Sequence, residues 1–102
     1  MEDKELIDAH VELSGFREID SSSMERVRKI IKNHLRRINE LCENIETIHI
    51  TLKAVHEREK GEKYEVHVKV IDNGKVYVSK LTERSLLTAV DSVLNKVINE
   101  ID

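Results

Sequence analysis

The chain of 102 residues has no proline, no tryptophan, three glycines and one cysteine. With no proline and so little glycine, it offers no linker, no repeat and no low-complexity tract, and a single domain over residues 1–102 is expected. A lone thiol excludes an intramolecular disulfide and fits a reducing compartment. No apolar run approaches the ~20 residues of a membrane-spanning helix. The opening MEDKELIDAH lacks the form of a signal peptide, so the expected address is the cytoplasm, away from any membrane. Aromatic residues are limited to Phe16, Tyr64 and Tyr77. Reading RNA by stacking splayed bases on a sheet takes two or three exposed rings, and only Tyr77 is expected on the outer sheet face.

Catalytic signatures are missing too. There is no nucleophile elbow, no glycine-rich phosphate loop, no CxxC and no HExxH. Carboxylates are numerous but scattered. Asp72 reads as a turn residue, and Asp91 as a helix residue with no charged partner close in sequence. Neither an enzyme activity nor a cofactor or small-molecule substrate is expected.

What the chain does have is charge, 36% of residues beside 39% hydrophobic, which is the balance of a folded domain and not of a disordered one. Residues 1–5 read as a frayed start. Ile7, Ala9, Val11 and Leu13 then alternate with Asp8, His10 and Glu12, the period of one strand with a wet face, ended by Gly15. From Ser22 to about Asn44 the period changes. Met24, Val27, Ile31, Leu35, Ile38 and Cys42 recur at helical spacing, with Ser22 and Glu25 as a capping box. Cys42 on that stripe reads as a small apolar filler.

After Asn44, Ile48, Ile50, Leu52 and Ala54 mark a second strand. Glu57–Lys63 reads as a charged hairpin loop, and Tyr64, Val66, Val68 and Val70 mark a third strand. Asp72-Asn73-Gly74 is a tight-turn signal, followed by a short strand with Val76 and Val78 on one face and Tyr77 and Ser79 on the other. A final helix starts after Ser85 or Thr82 and carries Leu86, Ala89, Val90, Val93, Leu94, Val97 and Ile101. The predicted fold is α+β in the order β-α-β-β-β-α. It is a four-stranded mixed sheet with strands one and two parallel and both helices on one face.

Two constellations stand out. His10, His49 and His67 all fall on the outer sheet face, where three imidazoles at matched height suit a transition metal. Ordinary polar cross-strand pairing is the commoner use of such residues. The second is cationic. Arg28, Lys29, Lys32 and Arg36 share one helix flank and Arg26 and Arg37 the other. Arg58, Lys60 and Lys63 lie in the hairpin, and Lys53 and Lys69 on the sheet. Such a surface neutralises phosphates and releases counterions; a solvated helix face is the plainer alternative.

The basic helix VRKIIKNHLRRI (Val27–Ile38), the paired strands of ITLKAVHEREKGEKYEVHVKV (Ile50–Val70) and the last helix RSLLTAVDSVLNKV (Arg84–Val97) together resemble the ribosome hibernation factors. The resemblance runs from about Ala9 to Ile101 and includes an Ile19-Asp20 lead-in with a hydroxyl N-cap. Ala89-Val90-Asp91 and Asn95-Lys96-Val97 stand where that family carries Ala-Ile-Asp and Asp-Lys-Leu. It implies a fold related to the double-stranded RNA-binding domain and a non-enzymatic factor of the short type, bound to the small ribosomal subunit. The RNA-binding positions it implies are Arg28, Lys29, Lys32, Arg36, Arg37 and Lys96. Bacterial members often continue into a lysine-rich tail, whereas this sequence reads Asn99-Glu100-Ile101-Asp102. Two other readings stand beside it: a generic double-stranded RNA binder, and a protein-interaction module that homodimerises through its sheet face or an edge strand.

Overall fold

A computed structural model describes residues 4–8, 10–57 and 61–102. The chain runs β1 (Lys4–Asp8), β2 (Val11–Ser14), α1 (Ser21–Leu41), β3 (Ile45–Glu57), β4 (Gly61–Asp72), β5 (Lys75–Glu83) and α2 (Leu86–Ile101). From β2 onward this is the expected β-α-β-β-β-α order: β2 pairs parallel with β3, and β3, β4 and β5 form an antiparallel meander. The N-terminus adds a strand. The single strand expected from Ile7 to Leu13 is divided, and β1 folds back antiparallel on β2 to make the sheet order β1-β2-β3-β4-β5. Lys4 and Glu5, expected to fray, stand in β1, while Ala9 lies outside the described residues.

One face of the sheet carries the core. Val11 and Leu13 of β2, Ile48, Ile50 and Leu52 of β3, and Val66, Val68 and Val70 of β4 are buried against Met24, Val27, Ile31 and Ile38 of α1. They also meet Leu86, Ala89, Val90, Val93, Leu94, Val97 and Ile98 of α2. Leu35 and Cys42 are partly buried on the same stripe.

β5 corrects the sequence reading. Tyr77 was expected to face outward, yet the pairs Val70↔Tyr77, Val68↔Ser79 and Val66↔Leu81 put Tyr77, Ser79 and Leu81 on the helix side. Directly opposed residues of an antiparallel pair share a face. Val76 and Val78 are therefore turned to the open face, at 56% and 58% exposure. The two-residue turn sets this register, with Asn73 at φ 49° and Gly74 at φ 84° between Asp72 and Lys75.

The α1 cap also differs from expectation. The N-cap lies two residues before the expected Ser22, at Asp20, whose carboxylate accepts the Ser23 N–H at 3.0 Å and the Ser22 hydroxyl at 2.7 Å. A carboxylate at this position satisfies free amides and also favours the positive end of the helix dipole. Ser85 caps α2 as expected, accepting the Thr88 N–H.

Candidate nucleic-acid interface

α1 carries six cations, Arg26, Arg28, Lys29, Lys32, Arg36 and Arg37, against two carboxylates, Glu25 and Glu40. The stripe from Met24 to Ile38 buries one side of the helix, which fixes the direction of the other. At about 100° per residue, Arg28, Lys32, Arg36 and Lys29 span roughly 100° of arc, and Arg26 and Arg37 extend it by about 80°. In a chain of net charge −3, this is a local concentration of positive charge.

A shallow depression at the N-terminal half of α1 is lined by Ser22, Glu25, Arg26, Arg28, Lys29 and Lys32. Arg26, which the sequence placed on the opposite flank, is thus brought beside Lys29 and Lys32. Its roughly 60° offset from Lys29 is small enough for a long side chain to bridge. Lys29 and Lys32 are exposed and Arg28 is half-buried. Arg36 is exposed one turn beyond Lys32. Arg37 is differently placed, 3.4 Å from Glu40 and 3.6 Å from Asp102, so part of its charge is already answered. Lys96 does not join the α1 group. On α2, Asn95 turns to α1, while the Lys96 ammonium donates to the Lys80 carbonyl on β5 at 3.2 Å. Arg58 and Lys60 lie outside the described residues.

The three histidines do not form one group. His67 stands opposite Thr51, and His49 opposite Lys69, so the two are diagonal neighbours. His10 sits in the turn before β2. His49 Nε2 is hydrogen-bonded to the Ser14 hydroxyl at 2.9 Å, and His67 Nε2 lies 3.2 Å from Glu65. Among the described residues, no three His, Cys, Asp or Glu side chains come together as a metal-binding group.

Contacts between distant residues escaped the sequence reading. Asp91, which had no partner near it in the chain, lies 3.3 Å from His34 Nε2. His34 Nδ1 donates to the Ile30 carbonyl at 2.7 Å and Nε2 faces Asn95 Oδ1 at 3.1 Å, so this ring links α1 to α2. Asp72 is buried, and its carboxylate accepts the Asn44 N–H at 2.7 Å and the Glu43 N–H at 3.3 Å, tying the β4–β5 turn to the end of α1. Burial, aided by the nearby Asp72 carboxylate, pushes the Cys42 thiol up to about 11, which leaves it a poor nucleophile at neutral pH.

No family model matches the sequence, and no curated protein does. Among solved structures, the chain is similar to the N-terminal domain of Protein Y from Thermus thermophilus. The TM-score is 0.57 at 13% identity, over 91% of this chain and 92% of that one. At that identity the likeness concerns the fold. No helix among the described residues is long and apolar enough to cross a membrane.

Proposed function

We propose that the protein is a ribosome-associated factor of the hibernation type, which binds small-subunit ribosomal RNA through α1 and blocks translation by occupying space. The observation that carries this reading is the cationic arc of α1, held outward by the opposite stripe on which Met24, Val27, Ile31 and Ile38 are buried. The fold shared with the Protein Y N-terminal domain over nine-tenths of both chains supports it, together with the sequence resemblance to the hibernation factors. The contacts are Arg28, Lys29, Lys32 and Arg36 on RNA phosphates, with Arg37 and Lys96 as outlying members. Phosphate contact of this kind positions a protein on RNA without reading its sequence. Shape, not base identity, then selects the site, in keeping with a chain whose Phe16 is buried and whose Tyr64 and Tyr77 are at most half-exposed. No cofactor or reaction enters the mechanism.

Co-sedimentation with purified ribosomes and separated subunits across a salt series tests this. Each phosphate contact contributes about −0.7 to −0.9 to the slope of log affinity against log salt, so four to five contacts give roughly −3 to −4.5. Lys32→Glu with Arg36→Glu, both off the buried stripe, should abolish comigration while the protein stays folded. Unchanged binding by the folded double variant would remove α1 as the contact. Affinity for plain duplex RNA combined with indifference to ribosomes would favour the generic double-stranded RNA binder.

A further inference from the structure

β5 is the edge strand opposite β1, nine residues long, without proline and without a bulge in its pairing with β4. The Lys96 ammonium reaches the Lys80 carbonyl, so that carbonyl points off the sheet edge. Peptide groups alternate along an antiparallel strand, so the N–H and C=O groups of Val76, Val78 and Thr82 point the same way. The two-residue turn gives the same phase independently, because it makes Asp72↔Lys75 a doubly bonded pair and Ile71↔Val76 an unbonded one. A long, unbulged, partly apolar edge of this kind is a template for another strand.

We propose that β5 pairs antiparallel with β5 of a second copy about a twofold axis at Ser79, joining the two sheets edge to edge. The sequence KVYVSKLTE selects that centre. Only even registers place off-edge peptide groups against off-edge peptide groups. Centring on Lys80 would oppose two ammonium groups, and centring on Val78 would leave two residues of each strand unpaired. Centring on Ser79 pairs all nine residues. Val78 lies opposite the partner's Lys80, Val76 opposite the partner's Thr82, and Tyr77 opposite the partner's Leu81. Lys75 lies opposite the partner's Glu83 at both ends, so the charges are complementary twice over. Val76 and Val78 gain neighbours on the open face, where each is now more than half exposed. The Lys96–Lys80 contact is exposed and yields its carbonyl to the partner's Val78 N–H. This pairing stands apart from the ribosome reading, because it uses β5 and not α1.

Sedimentation velocity on the full chain over a concentration series tests the pairing. A reversible monomer–dimer equilibrium is expected. Val78→Pro removes an off-edge N–H and leaves the β4 ladder intact, so it should give a folded monomer. Glu83→Lys or Lys75→Glu alone should raise the dimer dissociation constant about tenfold, since the twofold doubles each lost pair. Lys75→Glu combined with Glu83→Lys should restore the wild-type value. The two positions are eight apart on one strand, about 26 Å at strand rise, so that restoration can only arise between copies. Circular dichroism and thermal melts confirm folding of each variant. A wild-type protein that stays monomeric at millimolar concentration would overturn the proposal. So would a dimer untouched by Val78→Pro, or charge effects that the double exchange does not relieve.

Discussion

Ser79 donates its hydroxyl to the Val93 carbonyl across 3.0 Å, and the bond is buried between β5 and α2. The serine lets the helix approach where a larger side chain would hold it off. The carbonyl also belongs to the α2 ladder, so it keeps a partner if the hydroxyl is removed. Ser79→Ala should therefore cost only about 1 kcal/mol. Ser79→Val, which makes β5 look more regular as a strand, should cost roughly 1–3 kcal/mol by overpacking. Urea unfolding measures both. A valine variant more stable than wild type would mean that position 79 does not meet α2.

That same strand shows where the sequence stops being informative. Val76-Tyr77-Val78-Ser79 alternates cleanly, but either set suits an interior, and hydropathy alone favours the valines. The face is decided by the Asn73-Gly74 turn, which locks Tyr77 opposite Val70. The long helices were legible because a stripe such as Met24, Val27, Ile31 and Ile38 fits no other period. The division of the first strand was not, since no glycine or proline marks the turn near His10 and the alternation continues through it. The Ser22-Glu25 box fitted its pattern, yet Asp20 offers a charged acceptor and takes the cap. For the candidate site, the angular rule was enough to gather the α1 cations. It could not show that Arg37 is met by Asp102 or that His34 faces Asn95, 61 positions away.

Gly15 sits at φ +84°, and a Cβ there would stand 2.1 Å from the Leu52 carbonyl oxygen. Both the backbone conformation and the contact exclude a side chain, and the obstacle is backbone, which cannot swing aside. Gly15→Ala should lose at least about 2 kcal/mol, combining left-handed strain with displacement of the chain beneath. Denaturant midpoints give the loss. An alanine variant of wild-type stability would show that the β2–α1 connection is free to move.

Hydrogen bonds from Ser22 and Ser23 hold the Asp20 carboxyl down to about 2, from 3.8. A depressed folded value means that the carboxylate stabilises the protein above about pH 4 and ceases to do so as pH falls through about 2. Asp20→Ala should lower the melting temperature at neutral pH, and the gap to wild type should close as pH drops from 4 toward 2. Asp20→Asn, which keeps a neutral cap, should show a smaller loss at neutral pH. Melts at stepped pH separate these cases. A gap that stays constant down to pH 2 would mean that the charge of the cap contributes nothing to the fold beyond what a neutral cap supplies.

The α1 cations are not equivalent, which the proposed RNA contact makes testable. Lys32 is exposed in the α1 depression, whereas Arg37 is engaged by Glu40 and Asp102. Moving Arg37 to a phosphate would first break those contacts, and exposed pairs of this kind are worth at most about 1 kcal/mol. Lys32→Ala should therefore reduce the salt slope of ribosome binding by about 1. Arg37→Ala should change it by much less, and Asp102→Ala should strengthen binding slightly by releasing Arg37. Lys32→Ala should alter stability by no more than about 0.5 kcal/mol, since the side chain lies off the core stripe, and Arg37→Ala by no more than about 1 kcal/mol, the worth of its exposed pairs. Equal losses at Lys32 and Arg37 would place the RNA across the C-terminal end of α1, against Asp102, and not in the depression at its start.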